Sequence, residues 1–302
     1  MTVLFRLIRA IAGLISILPL PVCQVLGKMA GTAASLVPMS RSSVSLENID
    51  KSRALAIKGQ ASKKLNQKVF AHFGQMFFEI PHILRLSPSN LDKYMLFRGE
   101  EHLQAALLKG KGLFILTAHF GNWEWMNAGM TMRFGNGAVV VRPIDFPPLD
   151  WFMNEVRSRF GTEIIPNRRA MRKIMAALKR NKMVGILLDQ NVDWYEGVFV
   201  DFLGRRACMN KGLALLAMKT GAPVIPAFPV KQKDGRYVII IEKEVQLVDT
   251  GDRTRDIEDN TTLFARIIER YILKHPEQWF WFHKRWKTRP YCLLPPSFHR
   301  LQ

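Results

Sequence analysis

A histidine set where a buried strand runs out is the side chain best placed in this sequence to move a proton at neutral pH. Leu113 to Ala118 is a continuous apolar run following Lys111 and Gly112, and His119 comes directly after it. Such a run has the character of a strand buried on both faces. In open α/β sheets, ligands collect beyond the carboxyl ends of the strands, so His119 is expected at a site. Glu124 follows five residues later, and on one ideal helix the two side chains would lie roughly 140° apart. They meet only if His119 stands on the loop before the first turn, which Gly121 and Asn122 favour as turn and cap residues. In that arrangement Glu124 holds one ring nitrogen and leaves the other free to draw a proton from an alcohol. The chemistry is that of a triad whose nucleophile is supplied by the substrate hydroxyl.

The chain contains its own control. Ala71-His72-Phe73-Gly74-Gln75 nearly repeats the letters around His119, but the fifth residue after His72 is Phe77. No strand precedes it, and its neighbours Phe70, Phe73, Met76, Phe77, Ile80 and Ile83 recur at helical spacing, so His72 is read as structural. Two further apolar runs end in polar groups, at Arg142 and at Asp189 with Gln190. Three strand ends then converge on one edge, with Asn122, Arg142, Asp189 and Gln190 as the expected substrate-binding set. Arg142 suits a phosphate or a developing oxyanion, and an ion pair with Asp145 or Asp150 competes with that role. For Asp189 and Gln190, ordering of the loop from Asn191 to Arg206 is the favoured role.

The elements that must carry these residues alternate. Ala138 to Val141, Met183 to Leu188 and Ala222 to Phe228 repeat the buried-strand pattern, while Pro148 to Phe160, Arg168 to Arg180 and Ile257 to Lys274 have helical periodicity. Lys68 to Leu86 predicts one long helix, and Tyr237 to Leu247 alternates as a strand with one exposed face. This order implies an α/β fold with a mostly parallel central sheet flanked by helices. Ahead of it, Ala10 to Gly27 is an almost uncharged apolar run bounded by Arg6, Arg9 and Lys28 and interrupted by Pro19 and Pro21. That is marginal length for a bilayer helix. Residues 1–40 are expected to form a membrane anchor, by spanning or by lying in the interface, against a cleaved signal peptide with small residues at Thr32-Ala33-Ala34 or a buried helix, and 41–302 the catalytic domain.

Bulk composition adds a constraint. Lys and Arg number 44 against 25 Asp and Glu, a formal charge of +19 that favours anionic partners without choosing among them. The three cysteines, Cys23, Cys208 and Cys292, are too few and too scattered for a disulfide framework, so reduced thiols are expected. The seven histidines show no ligand spacing, and no metal site is proposed.

The residues now resemble a family, the late acyltransferases of lipid A biosynthesis within the lysophospholipid acyltransferase superfamily. The likeness runs from about Arg41 to Pro290. Its markers are Ala118 to Glu124, Arg142-Pro143, Asp189-Gln190, Gly197 to Val200 with Phe202 and Gly204, Thr220 to Pro226, Pro276 to Trp279, and His283 to Pro290. The histidine motif alone is moderately specific, and the ordered series is strong. The resemblance implies a glycerol-phosphate acyltransferase-like fold, His119 as general base and Glu124 as its partner. It implies acyl carrier protein as donor co-substrate, no other cofactor, and a lipid-linked hydroxyl as acceptor at the cytoplasmic face of a bacterial inner membrane. Arg206 to Asn210 lacks the threonine usual after the glycine-rich loop, and Asp193 to Glu196 is an unusual insert, which bears on the acceptor.

Arg168, Arg169, Arg172 and Lys173 begin a basic run without an intervening acid, opposite Met171, Ile174, Met175 and Leu178 on the same helix. That face suits an acidic carrier protein or anionic headgroups, and a merely solvated face explains it equally. Trp279 to Arg289 interleaves aromatics with basic residues. Beside an apolar N-terminus this favours a membrane interface over nucleic acid, with some of the rings in the core. Two alternatives stand: the same reaction on a lysophospholipid, aminolipid or mannosylated phosphoinositide, or a non-catalytic basic membrane-surface protein. The second gives no reason for an acid spaced correctly from His119 and missing after His72.

Overall fold

The computed structural model describes residues 2–37 and 40–290, so Cys292 lies outside the described residues. The apolar N-terminal run is two helices rather than one. α1 (Val3–Ile17) and α2 (Leu20–Leu36) meet at a bend of 120°, with Pro19 at the α2 N-cap and Pro21 in its first turn, where a missing N–H breaks no helix bond. Among the described residues no single helix is long and apolar enough to cross a membrane, although the bent pair taken together is. α3 (Ser40–Lys51) leads to α4 (Gln60–Glu79), against which α2 lies. Gly27 and Gly31 of α2 touch the backbone of Gly74 and Phe70 in α4, and a Cβ at Gly31 would overlap the Phe70 carbonyl. The helix expected over Lys68 to Leu86 ends at Glu79. Pro81 cannot donate to a continuing helix, and Ile80–Arg85 tightens into a 3₁₀ turn.

The body then alternates as expected. α5 (Leu91–Tyr94), β1 (Met95–Arg98), α6 (Glu100–Leu108), β2 (Leu113–Thr117), α7 (Trp123–Phe134), β3 (Gly137–Val141), α8 (Pro147–Ser158), β4 (Glu163–Pro166), α9 (Ala170–Lys179) and β5 (Met183–Leu187) lead into a hairpin, β6 (Gly197–Phe202) and β7 (Arg205–Asn210). α10 (Gly212–Thr220), β8 (Val224–Lys231), β9 (Tyr237–Ile241) and α11 (Arg253–Lys274) complete the order. Seven strands form one sheet in the order β1-β9-β8-β2-β5-β3-β4, parallel throughout except between β8 and β9. Because β2, β5 and β3 are neighbours running the same way, their carboxyl ends share one edge, and His119, Asp189 and Arg142 all stand there.

Three expectations are corrected. The segment Asn191 to Arg206 is not a plain loop, since it contains most of the β6–β7 hairpin, closed by Leu203 and Gly204 at positive φ. β9 stops at Ile241 and is largely buried, being an interior strand between β8 and β1 rather than one with a solvated face. The aromatic tail is core and not a membrane interface: Trp279, Trp281, Phe282 and Trp286 are all buried. Arg285 is fully buried with them, its guanidinium 4.6 Å from the Phe202 ring centre and donating to the Cys208 carbonyl at 2.7 Å. Burial pushes that guanidinium down to about 10.

Candidate active site

His119 stands on the turn between β2 and α7, where it was expected. The turn is tied down from both sides. The Gly121 N–H donates to the Gln278 carbonyl at 2.8 Å, and the Phe280 N–H donates to the His119 carbonyl at 2.9 Å. Gly121 has φ +57, and a Cβ there would run into the Pro229 carbonyl, so no other residue fits. Asn122 is the N-cap of α7 and accepts from the Trp125 N–H at 3.1 Å. Its amide donates to Glu79 at 3.1 Å, and the side chain is wholly buried. Both its ends are therefore occupied in holding the turn, which corrects its assignment to substrate binding.

The carboxylate on the imidazole is Asp189, not Glu124. His119 Nδ1 donates to Asp189 Oδ1 at 2.8 Å, and the His119 backbone N–H reaches the same oxygen at 3.1 Å. Trp279 Nε1 donates to Asp189 Oδ2 at 2.7 Å. Asp189 is buried, which would raise its carboxyl, but the charge of His119 and these hydrogen bonds outweigh burial and hold it at about 2. An ionised acceptor at Nδ1 fixes the proton there and leaves Nε2 as the free base. Gln190 agrees with that tautomer, since its amide Nε2 lies 3.3 Å from His119 Nε2. The favoured loop-ordering role for this pair is thus replaced by direct contact with the histidine from the neighbouring strand end.

Glu124 is used otherwise. Arg157 of α8 donates to both its carboxylate oxygens, the shortest contact being 2.6 Å, and Trp123 Nε1 donates to it at 3.1 Å. No hydrogen bond joins His119 to Glu124 among the described residues, because the first turn of α7 points the carboxylate toward α8. Burial would lower the Arg157 guanidinium, but the Glu124 charge outweighs it and raises it. Arg142 is exposed and paired with Asp145 at 2.9 Å, while Asp150 accepts from the Ile144 N–H at 2.8 Å. Arg168, Arg169, Arg172 and Lys173 are all exposed at the start of α9. Further along the basic run, Arg180 and Lys182 pair with Glu163, an acid from β4 that the local sequence does not reveal.

His119, Glu124, Arg142, Arg157 and Gln190 line one cavity of about 800 Å³, walled deeper in by apolar residues of the sheet and of α7, α9 and α10. Arg157 and Trp279 as partners of the two acids were not legible in the sequence. Trp279 lay within a family marker, and Arg157 carried no local signal.

His72 supports the site from behind. It is buried in α4 with Nε2 3.4 Å from the Gly121 carbonyl, and burial pushes it down to about 4, as it does His283. Both start from an ordinary value of 6.5. An unfolded chain therefore takes up protons below that value which the folded protein refuses until about pH 4, so stability is full above the window and lost as pH falls through it. Chemical unfolding followed from about pH 7 to about pH 5, where ordinary carboxylates stay ionised, is expected to show a falling free energy. A flat profile there would contradict neutral His72 and His283 imidazoles.

The arrangement is an imidazole with a fixed tautomer beside a cavity lined by both polar and apolar residues. The family model for bacterial lipid A biosynthesis acyltransferases matches residues 2–288. The chain is 26% identical over 274 residues to the lipid A biosynthesis lauroyltransferase of Escherichia coli (strain K12), covering 90% of this chain and 88% of that one. It is 27% identical over 233 residues to a lipid A biosynthesis acyltransferase of Haemophilus influenzae (strain ATCC 51907 / DSM 11121 / KW20 / Rd), covering 76% and 71%. A phosphatidylinositol mannoside acyltransferase of Mycobacterium tuberculosis (strain CDC 1551 / Oshkosh) is 26% identical over 193 residues, 62% of this chain and 58% of that one. With a match across nearly its whole length, this chain belongs to the bacterial lipid A biosynthesis acyltransferase family.

Proposed function

We propose that this acyltransferase moves a fatty acyl group from acyl carrier protein to a hydroxyl of a lipid A precursor or closely related glycolipid, with His119 as general base. The observation that carries the reading is the Nδ1–H of His119 donating to buried Asp189, with Nε2 meeting the Gln190 amide at the cavity lining. The acceptor hydroxyl takes the place of the Gln190 amide at Nε2 and loses its proton there as its oxygen attacks the thioester carbonyl. Collapse of the tetrahedral intermediate breaks the carbon–sulfur bond, and the imidazolium returns the proton to the departing thiolate. Glu124, locked to Arg157, keeps a cation at the cavity wall where charge develops on the carbonyl oxygen. Arg142 lines the cavity, and Arg168, Arg169, Arg172 and Lys173 are exposed beside its lining residues Asn167 and Ala170, a cationic surface favourable to an acidic carrier and to phosphates of the acceptor.

Membrane association is supported by the surface of the N-terminal helices. Leu7, Ile11, Leu14 and Ile17 of α1 are exposed, as are Val22, Val25 and Met29 of α2. α1 also meets α8, where the Phe5 and Trp151 rings lie 6.1 Å apart and Phe146 and Trp151 are exposed. Exposed apolar area of this kind seeks lipid or a partner. We take residues 1–40 as the anchor and the cytoplasmic face of the bacterial inner membrane as the working place, since a multi-chain acceptor leaves a bilayer only at about 0.8 kcal/mol per methylene.

The test is acyl transfer from labelled acyl carrier protein in membranes carrying wild-type protein or His119→Ala. The variant is expected to lose activity by at least about 100-fold. Retention of wild-type rates would remove the mechanism. Intact-lipid mass spectrometry of cells with and without the active protein names the acceptor, and acylation of a mannosylated phosphoinositide in place of a lipid A precursor would move the reading to that alternative.

A further inference from the structure

Gly185 is the only glycine in the interior of a strand of the seven-stranded sheet among the described residues. A glycine there weakens a strand, and it commonly marks either a tight backbone contact or a place where a ligand comes close. Tight packing does not explain it. A Cβ built on Gly185 would meet nothing nearer than the Ala138 carbonyl oxygen at 3.6 Å and Val139 Cγ2 at 3.8 Å. Gly137, by contrast, is a packing glycine, since a Cβ there would strike the Thr131 hydroxyl of α7.

Register assigns the face. Gly185 is paired with Ile115 on one side and Val139 on the other, so the three share one face of the sheet. Val139 and Gly137, two residues apart on β3, also share it, which makes it the face turned toward α7. Gly185 and Val139 are only half-buried, and both line the cavity with Ile115, Met126 and Met130. The missing side chain is therefore open space in a slot between the sheet and α7, beside the apolar Ile115, Met126 and Met130. His119 stands at the mouth of the slot, and Met183, buried on the same strand, lies at its inner end. Leu187 pairs with Thr117 near the mouth, so Gly185 lies about 7 Å further in, at a rise of about 3.3 Å per residue.

We propose that Gly185 is a specificity-determining residue: it keeps the slot open along the sheet so that a long acyl chain of the donor can run past it toward Met183. The proposal rests on the reading of this cavity as the acyl-transfer site. A side chain at 185 would project toward Met126 and Met130 and stop the chain partway, leaving the mouth and His119 unchanged.

The test is competition between decanoyl- and tetradecanoyl-loaded acyl carrier protein on wild-type, Gly185→Ala and Gly185→Leu proteins, with the melting temperature of each recorded. The Leu variant is expected to shift the product ratio toward decanoyl by at least about tenfold, and the Ala variant, whose added methyl fits the open space, by about threefold in the same direction. An unchanged ratio in a folded variant, or an equal loss with both donors, would overturn the proposal while wild-type activity leaves the acyl-transfer reading intact. If the Leu variant does not fold, the Ala variant decides between the same outcomes. Absence of transfer by wild-type protein would overturn both readings.

Discussion

Asp189→Asn is expected to lower the turnover of acyl transfer by about 10²- to 10⁴-fold while the protein stays folded. The substitution keeps the shape and can still accept from Trp279 Nε1 or from His119 Nδ1, but it removes the negative charge facing the imidazole. Two consequences follow. The amide is free to present its NH₂ to Nδ1, which moves the ring proton to Nε2 and blocks the base. The imidazolium formed during transfer also loses its buried counter-charge. The loss should appear in the maximal rate more than in the Michaelis constant for either substrate, because Asp189 lies behind the histidine and outside the cavity lining. Glu124→Gln supplies the contrast. It leaves the His119–Asp189 pair untouched and weakens the bidentate hold on Arg157, so stability and donor binding should suffer alongside the rate. Steady-state kinetics of the two variants, with melting curves as the folding control, decide which acid orients the base. Equal rates for wild type and Asp189→Asn would return that role to Glu124 through a rearranged α7.

The second large effect lies behind the site. Glu79 at the end of α4 is completely buried and is the acceptor for Lys231 Nζ, Gln24 Nε2, Asn122 Nδ2 and Tyr237 OH, while its backbone carbonyl accepts from Trp125 Nε1 at 3.0 Å. Burial alone would raise this carboxyl. The Lys231 charge and the hydrogen bonds outweigh it and lower it, so the group is an ion in the core. Glu79→Ala leaves the Lys231 ammonium, nearly as buried, without its counter-charge and strands several donors at once. The expected cost is about 3–5 kcal/mol, a large fraction of an ordinary domain's stability. Denaturant unfolding in detergent measures it, and a loss under about 1 kcal/mol would show that the network relaxes around the gap. Because Gln24 belongs to α2 and Asn122 caps α7, the same network ties the N-terminal helices to the turn that bears His119. Weakened activity should accompany the loss of stability.

Much of this was written locally. The strand cores at Leu113, Met183 and Val224, the helices from Pro148 and Ile257, and the break at Pro19 follow from apolar periodicity and proline chemistry, which act over a few neighbouring residues. His119 was legible as a strand-end base, and His72 as its structural counterpart, for the same reason. A helix boundary and a strand end are local events.

Tertiary structure alone decided which acid faces the imidazole. Five residues along the chain, Glu124 had the nearer claim, yet Asp189 arrives from 70 residues away because β5 is hydrogen-bonded beside β2 and both end at one edge. Strand order is a global property with no signature in either segment. It is also what buries Trp279 and Arg285 in a tail that composition assigns to a membrane surface, and what gives Glu124 its arginine on α8. Residue type and spacing thus picked out His119 and the strand end on which it stands. Packing between distant segments determined its geometry, because a hydrogen bond of 2.8 Å depends on three-dimensional neighbours and not on sequence distance.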